Sequence, residues 1–268
     1  MRRAHFRETD STNAEASRIA SGWAPTGGVP EAVLVSADRQ TAGRGRTGRA
    51  WQSPLGGAYF SLAYPWRGPE GDAARLPLVA GLAVRESVAG AFGVDAERLR
   101  VKWPNDLLLD GRKLAGLMCE RVVGWVAEDG LVRETGWSAV VVGVGVNVAA
   151  PGPDPAGCRV PPITLGEVLE KEIVPSDVVE HCGGAILEEI AQFEADGWSA
   201  SVSRRLGEAL AWVGRAVTVG GADGGDPIEG VIDGVDEAGR LVLRDAQTGE
   251  ARAVASGEVV EVRESPAG

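Results

Sequence analysis

The chain has 268 residues, is 44% hydrophobic and carries a formal charge of −11 at pH 7. That apolar content excludes global disorder and suffices for one large domain plus a small one. The acidic balance, without a clustered Lys/Arg stripe, argues against stable nucleic-acid binding, and the longest apolar stretch, around residues 139–146, is too short to span a bilayer.

Taken in chain order, Arg2-Arg3 opens no export signal, because no apolar run follows. Thr9-Asp10-Ser11-Thr12-Asn13 is rich in capping side chains and precedes the helix formers of 14–20. A helix is therefore expected to begin near Thr12, with polar groups gathered at its N-terminus. Residues 33–37 read as a short buried strand, 40–53 as a long loop rich in Gly and Arg, and 58–64 as a second strand. Residues 73–92 read as a helix in which Val84, Val88 and Phe92 share one side, with Pro77 in the first turn, where proline is tolerated. Residues 99–120 form two apolar segments that fold back at Asp110-Gly111, a dipeptide suited to a tight turn with positive φ.

Residues 138–148 read as a strand whose Gly143 and Gly145 let something approach its backbone. A proline-rich connection over 151–162 leads to helices over 163–171 and 176–196. In the second of these Val178, Cys182, Ile186 and Ile190 make one apolar row, and Gly197 is a C-cap. Beyond Trp212, short β-rich runs alternate with Gly/Asp turns, the pattern of a small barrel. A domain boundary near Val213 follows, giving a domain over 1–212 and another over 213–268. Cys119, Cys158 and Cys182 are few, odd in number and widely spaced, which points to small buried hydrophobes and a reducing, cytoplasmic compartment.

Two segments carry chemistry. The first is Gly43-Arg44-Gly45-Arg46-Thr47-Gly48. It satisfies the G-x-G-x-x-G dinucleotide pattern literally, but that pattern works only where a helix leads directly out. Here Trp51-Gln52-Ser53-Pro54 follows and cannot start one. An anion clamp fits better: glycines expose N–H groups to phosphate oxygens, and Arg44, Arg46 and Arg49 supply guanidinium forks. Such a loop is expected to fold over its ligand on binding. The second is Lys102-Trp103-Pro104-Asn105-Asp106 with Lys113-Leu114-Ala115-Gly116, which sets two cations, an amide and a carboxylate beside a buried sheet. Such a site can hold an anionic substrate and neutralise charge as it develops.

These two blocks, together with Asp10-Ser11-Thr12-Asn13 and Gly143-Val144-Gly145-Val146-Asn147-Val148, resemble the biotin protein ligases in order and spacing across residues 9–148. The resemblance implies an α+β fold, a mixed β-sheet with flanking helices of the class II aminoacyl-tRNA synthetase/biotin synthetase kind, followed by a small SH3-like β-barrel. It implies a two-step reaction with ATP and Mg²⁺. Biotin's carboxylate attacks the α-phosphate of ATP to give biotinyl-5′-AMP and pyrophosphate, and a lysine of a biotin carboxyl carrier domain then attacks the acyl carbon as AMP leaves. Both steps move negative charge, which calls for fixed cations and N–H dipoles, and the mixed anhydride needs shelter from water.

Residue by residue, the resemblance implies that Ser11, Thr12 and Asn13 line the biotin ring end and that Gln40 bonds biotin from the start of the loop. Arg44, Gly45 and Arg46 hold its carboxylate and the phosphate, with Arg46 retaining the adenylate. Lys113 contacts the acyl-phosphate region, Gly116 leaves room for the ligand, Asn147 faces the adenine, and Trp51 forms part of the nucleotide-side wall. Lys102 and Asn105 belong to the same signature, and Lys102 could neutralise phosphate charge. Asp106 is either a Mg²⁺ ligand or a structural turn carboxylate. Trp103 reads as core. Ala50 stands where a basic residue is frequent in the family. The chain begins close to the biotin-site motif, so a short form without an N-terminal helix-turn-helix repressor domain is expected, a monomer or weak homodimer acting on neither nucleic acid nor membrane. Two rivals stay open: a lipoate or octanoyl ligase or transferase on the related fold, and a non-catalytic biotin-sensing regulator.

Overall fold

The computed structural model describes residues 1–23, 30–128, 131–149, 160–220 and 225–263. Cys158, most of the proline-rich connection and the turn residue Asp223 lie outside them. A seven-stranded mixed sheet is built from β1 (Arg2–Thr9), β2 (Val33–Gln40), β3 (Ala58–Trp66), β4 (Leu99–Lys102), β5 (Asp106–Leu109), β6 (Arg112–Glu128) and β7 (Leu131–Val146) in the order β1-β2-β3-β7-β6-β5-β4. Only β1 and β2 run parallel, because the chain between them forms a helical crossover, α1 (Thr12–Ser21). The Ser11 hydroxyl caps α1 by accepting from the Ala14 N–H.

Strand alternation decides which end of the sheet is open. On one face Leu62, Val140, Val142, Val144 and Leu117 join the main core beneath α2 (Leu76–Phe92) and α4 (Pro175–Asp196). On the other face α1 covers Val33, Val35, Ala63, Ala139 and Val141. Continuing along the same face, past the N-terminus of α1, come Ser61, Tyr59, Gly143, Gly145, Gly116, Met118 and Glu120. Gly116 and Gly145 are direct cross-strand partners, so the sheet presents bare backbone there. The loop that follows β2 lies over this floor.

The sequence reading starts at Thr9 and misses β1, whose alternating apolar positions are only Ala4 and Phe6 among charged residues. The predicted hairpin is in fact three strands. Asp110, with φ 51°, and Gly111, with φ 73°, turn β5 into β6 as expected, while Trp103-Pro104-Asn105 makes a further turn between β4 and β5. Of the helix expected over 163–171 only α3 (Leu165–Leu169) forms, because Glu170 adopts φ 50° and ends it. The short α5 (Ala200–Ala209), capped by Ser199, is a further element missed from sequence.

The C-terminal strands are β8 (Ala216–Gly220), β9 (Ile228–Val235), β10 (Leu241–Arg244), β11 (Ala251–Val254) and β12 (Glu258–Val262). They pair antiparallel in the order β11-β10-β9-β8-β12. The expected closed barrel is an open five-stranded sheet among the described residues, since no ladder joins β11 to β12. Its apolar face (Val217, Val219, Ile232, Leu241, Leu243, Val254 and Val259) is continuous with the main core. Trp103, 3% exposed, is core as read from sequence, and its indole N–H also donates to the Gly239 carbonyl at 3.1 Å. The 99–120 segment therefore carries the C-terminal sheet as well as the site. Among the described residues no helix is long and apolar enough to cross a membrane.

Candidate active site

The segment entering α1 is anchored to the loop that roofs the floor. Thr41 and Ala42 donate backbone bonds to the carbonyls of Thr9 and Asp10, at 2.9 and 2.8 Å. Gln40, the last residue of β2, accepts at Oε1 from the Thr12 N–H (2.8 Å) and the Thr12 hydroxyl (3.1 Å), and its Nε2 donates to Ser53 Oγ at 2.8 Å. The Ser61 hydroxyl lies within 2.8 Å of Thr12 Oγ1 and 2.6 Å of Asn13 Oδ1. Asn13 Nδ2 donates to Glu120 Oε2 at 2.9 Å. Buried Thr12 and Asn13 and half-buried Gln40 thus form one polar network, with Asn13 lying directly over the missing side chain of Gly143. Ser11 is buried beside them but spends its hydroxyl on the helix cap.

The Gly/Arg loop folds as a compact hairpin. Arg44 and Ala50 form a β-bridge, Gly45 N–H donates to Arg49 O at 2.7 Å, and Trp51 N–H donates to Gly43 O at 2.9 Å. Only a 3₁₀ turn, Arg46–Gly48, follows the glycines, so the dinucleotide reading fails for want of a helix. The Trp51 ring rests on the bare backbone of Gly116 and Gly145. A Cβ at Gly116 would come within 2.8 Å of Trp51 Cζ3, and one at Gly145 within 2.7 Å of Cζ2. Trp51 Nε1 is buried with no hydrogen-bond partner among the described residues, a cost of about 1–3 kcal/mol unless a ligand or water satisfies it.

The β4–β5–β6 meander holds the fixed cations, Lys102 at the end of β4 and Lys113 near the start of β6. Asp106, at the start of β5, lies opposite Gly116 and between two ammonium groups: Lys113 Nζ at 2.7 Å from Oδ1 and Lys102 Nζ at 3.2 Å from Oδ2. Burial pushes the Asp106 carboxyl up, but Lys113 and Lys102 outweigh it and hold it below the usual carboxylate range. Both Asp106 oxygens are thus engaged by ammonium groups, which holds the two lysines in place. Among the described residues no group of three His, Cys, Asp or Glu side chains could hold a metal ion. Lys113 Nζ also lies 5.3 Å from the Trp51 ring centroid, within cation–π range.

Asn105 donates from Nδ2 to the Leu117 carbonyl at 2.6 Å, and its Oδ1 accepts from Arg46 at 3.5 Å. Burial pushes the Arg46 guanidinium below its ordinary value against the pull of Asp106 and Glu258. Arg44 reaches Glu120 at 3.4 Å. Asn147 sits at the far end of β7 and ties it to β6 by donating from Nδ2 to Lys113 O at 3.1 Å, which also fixes the backbone of that lysine.

Four contributors escaped the sequence reading. Glu120 and Ser61 could have been found by counting alternate strand positions from Gly116 and Tyr59. Ser53 lies in the predicted loop but carries no motif. Glu258 comes from β12, 156 residues from the Lys102 it pairs with, and no local pattern points to it. Glu258 accepts from Arg49 at 2.7 Å and lies 3.5 Å from Lys102 Nζ. Arg44, Arg46, Arg49, Lys102 and Lys113 together face Glu120, Asp106 and Glu258, a local excess of positive charge in an acidic chain. Such an arrangement can receive a polyanion above a glycine floor.

The model of the biotin/lipoate A/B protein ligase family matches residues 7–133. The biotin--[acetyl-CoA-carboxylase] ligase of Paracoccus denitrificans is 33% identical over 88% of this chain and 91% of that protein. The chain belongs to the biotin protein ligase family. The namesake enzyme of Mycobacterium tuberculosis is 32% identical over 96% of this chain and 87% of its own length. Among solved structures, the biotin protein ligase of Aquifex aeolicus in complex with biotin and ATP covers 98% of this chain and 99% of its own, at 26% identity and a TM-score of 0.75. The mixed sheet with flanking helices is therefore that of a biotin protein ligase.

Proposed function

We propose that the chain activates biotin with ATP as biotinyl-5′-AMP and transfers it to a lysine of a biotin carboxyl carrier domain. The observation that carries this reading is the continuity of the two half-sites. A neutral hydrogen-bonding end (Thr12, Asn13, Gln40) and a cationic end (Lys102, Lys113, Arg46) share one glycine floor under one loop. A ligand with a small polar ring, an apolar arm and a carboxylate matches that gradient. Its ring would meet the amide and hydroxyl groups, its carboxylate Arg44 and Arg46, and a nucleotide phosphate the lysines.

In the first step a carboxylate oxygen bonds to the α-phosphorus as the bond to pyrophosphate breaks. Lys113 and Lys102 face the charge that accumulates there, and Asp106 keeps both ammonium groups in place. In the second step the acceptor amine bonds to the acyl carbon, AMP leaves, and Trp51 with the Gly/Arg hairpin excludes water from the anhydride. Trp51 and Asn147 are read as nucleotide-side residues. Mg²⁺ is read as arriving with the nucleotide rather than on Asp106. We assign 1–212 as the catalytic domain and 213–268 as an SH3-like module that has opened into a sheet, in a cytoplasmic protein that is a monomer or weak homodimer.

The test is incubation of the purified protein with Mg-ATP, biotin and a carrier domain, read by mass, alongside lipoate and a Lys113→Ala variant. A biotin-sized gain on one carrier lysine, lost in the variant, supports the reading. A gain with lipoate alone would move the chain to the lipoate ligases, and biotin binding without transfer would make it a regulator.

A further inference from the structure

Lys102, Lys113 and Arg49 at the phosphate end are already paired with protein carboxylates, and the two carboxylates involved, Asp106 and Glu258, are not equivalent. Asp106 is pinned at both oxygens by Lys113 and Lys102, and its side chain is 8% exposed within a three-stranded meander. Glu258 belongs to another sheet and its side chain is 26% exposed. It reaches Arg49, on the Gly/Arg hairpin, at 2.7 Å and Lys102 at only 3.5 Å. The backbone beneath it is constrained. Gly257 has φ 145°, and a Cβ there would meet Gly220 O at 2.6 Å, so the turn into β12 admits only glycine. That turn also points the Gly257 carbonyl at Arg46, 3.4 Å away. A register shift between Val259 and Glu261 bends β12 at this point. The C-terminal sheet thus delivers one exchangeable negative charge to the place where a polyphosphate would need positive charge.

We propose that Glu258 is a tethered anion that holds Arg49 and Lys102 in the ligand-free site and yields them to the phosphates of the incoming nucleotide. The proposal rests on the reading of this site as one that takes ATP. A phosphate oxygen and the Glu258 carboxylate compete for the same donors, and like charges cannot share them without cost. The affinity of the site for polyphosphate is then lowered by the free energy of the pairing that must be broken. Glu258 also returns to the cations when pyrophosphate departs, which speeds its release. In this role Glu258 is a positioning residue, and it explains how a strongly cationic pocket avoids being trapped by its own product.

Titration calorimetry with inorganic pyrophosphate on the full chain tests this, with Glu258→Gln and Glu258→Asp beside the wild type and Glu250→Gln as a control. Glu250 lies in an exposed turn and removes the same formal charge away from the site. A half-exposed ion pair of this kind translates into about three- to tenfold tighter pyrophosphate binding in Glu258→Gln. A smaller gain is expected in Glu258→Asp, whose arm is too short to reach both cations, and none in Glu250→Gln. In the ligase assay Glu258→Gln should show a lower KM for ATP and stronger product inhibition by pyrophosphate. Unchanged or weaker pyrophosphate binding in both Glu258 variants would overturn the proposal and make Glu258 a structural tie. Failure of the wild type to biotinylate a carrier, with the pyrophosphate shift intact, would instead remove the ligase reading and leave the anion exchange standing.

Discussion

Gly143→Ala is the sharpest test of how the ring end is built. A methyl group at this position would stand 2.7 Å from Asn13 Cγ, nearer still to Oδ1, and 3.0 Å from Nδ2. Asn13 cannot simply swing away, because it is 5% exposed and held between the Ser61 hydroxyl at 2.6 Å and the Glu120 carboxylate at 2.9 Å. Displacing it forfeits one neutral bond, about 1 kcal/mol, and one to a charged acceptor, about 1.5–3 kcal/mol. The expected cost is therefore about 2–4 kcal/mol, or about 5–15 °C in melting temperature for a chain of this size. Biotin binding should fall by at least as large a factor, since the proposed function puts the same amide at the biotin ring. Thermal melts and calorimetric biotin titration read both effects, and the Asn13→Ala/Gly143→Ala double variant closes the cycle. If Asn13 is the only obstacle, the double variant melts no lower than Asn13→Ala alone. A melting temperature within about 2 °C of wild type together with unchanged biotin affinity would refute the crowding argument.

Lys113→Ala should leave the fold intact, because Lys102 still pairs with Asp106, while slowing adenylate formation about a hundredfold in a pyrophosphate-release assay. Gly145→Ala should lift Trp51 from the floor and loosen the Gly/Arg hairpin, seen as faster tryptic cleavage after Arg44, Arg46 or Arg49 than in wild type. Trp103→Phe removes the donor to Gly239 O and should lower stability by about 1–3 kcal/mol, read by urea unfolding. Asp106 has a folded pKa below its ordinary 3.8, so the unfolded chain takes up that proton first. Its contribution is full above about pH 4 and is lost as pH falls through the lower folded value. Asp106→Asn should therefore show a shallower drop in melting temperature than wild type on acidification from about pH 5 to pH 3.

The chemistry of this protein was legible locally. The capping run before α1, the Gly/Arg loop, the Asp110-Gly111 turn and the two lysines each declare themselves within a few residues, because a cap, a tight turn and an anion clamp depend on residue type and short spacing. Binary patterning likewise sufficed for β2, β3, α2 and α4, whose apolar periodicity matches their burial. What the tertiary structure decided was which of these segments meet. It set Gly116 opposite Gly145, laid Trp51 on both and Asn13 on Gly143, and brought Ser61 and Glu120 to the same network from strands that are distant in sequence. It left the C-terminal sheet open rather than closed, and carried Glu258 to Lys102 across 156 positions. Propensity and motif are properties of neighbours along the chain. Register, face and charge pairing between the two sheets are fixed only when non-local strands align, and a one-residue shift in that alignment would send every side chain on the floor to the opposite face.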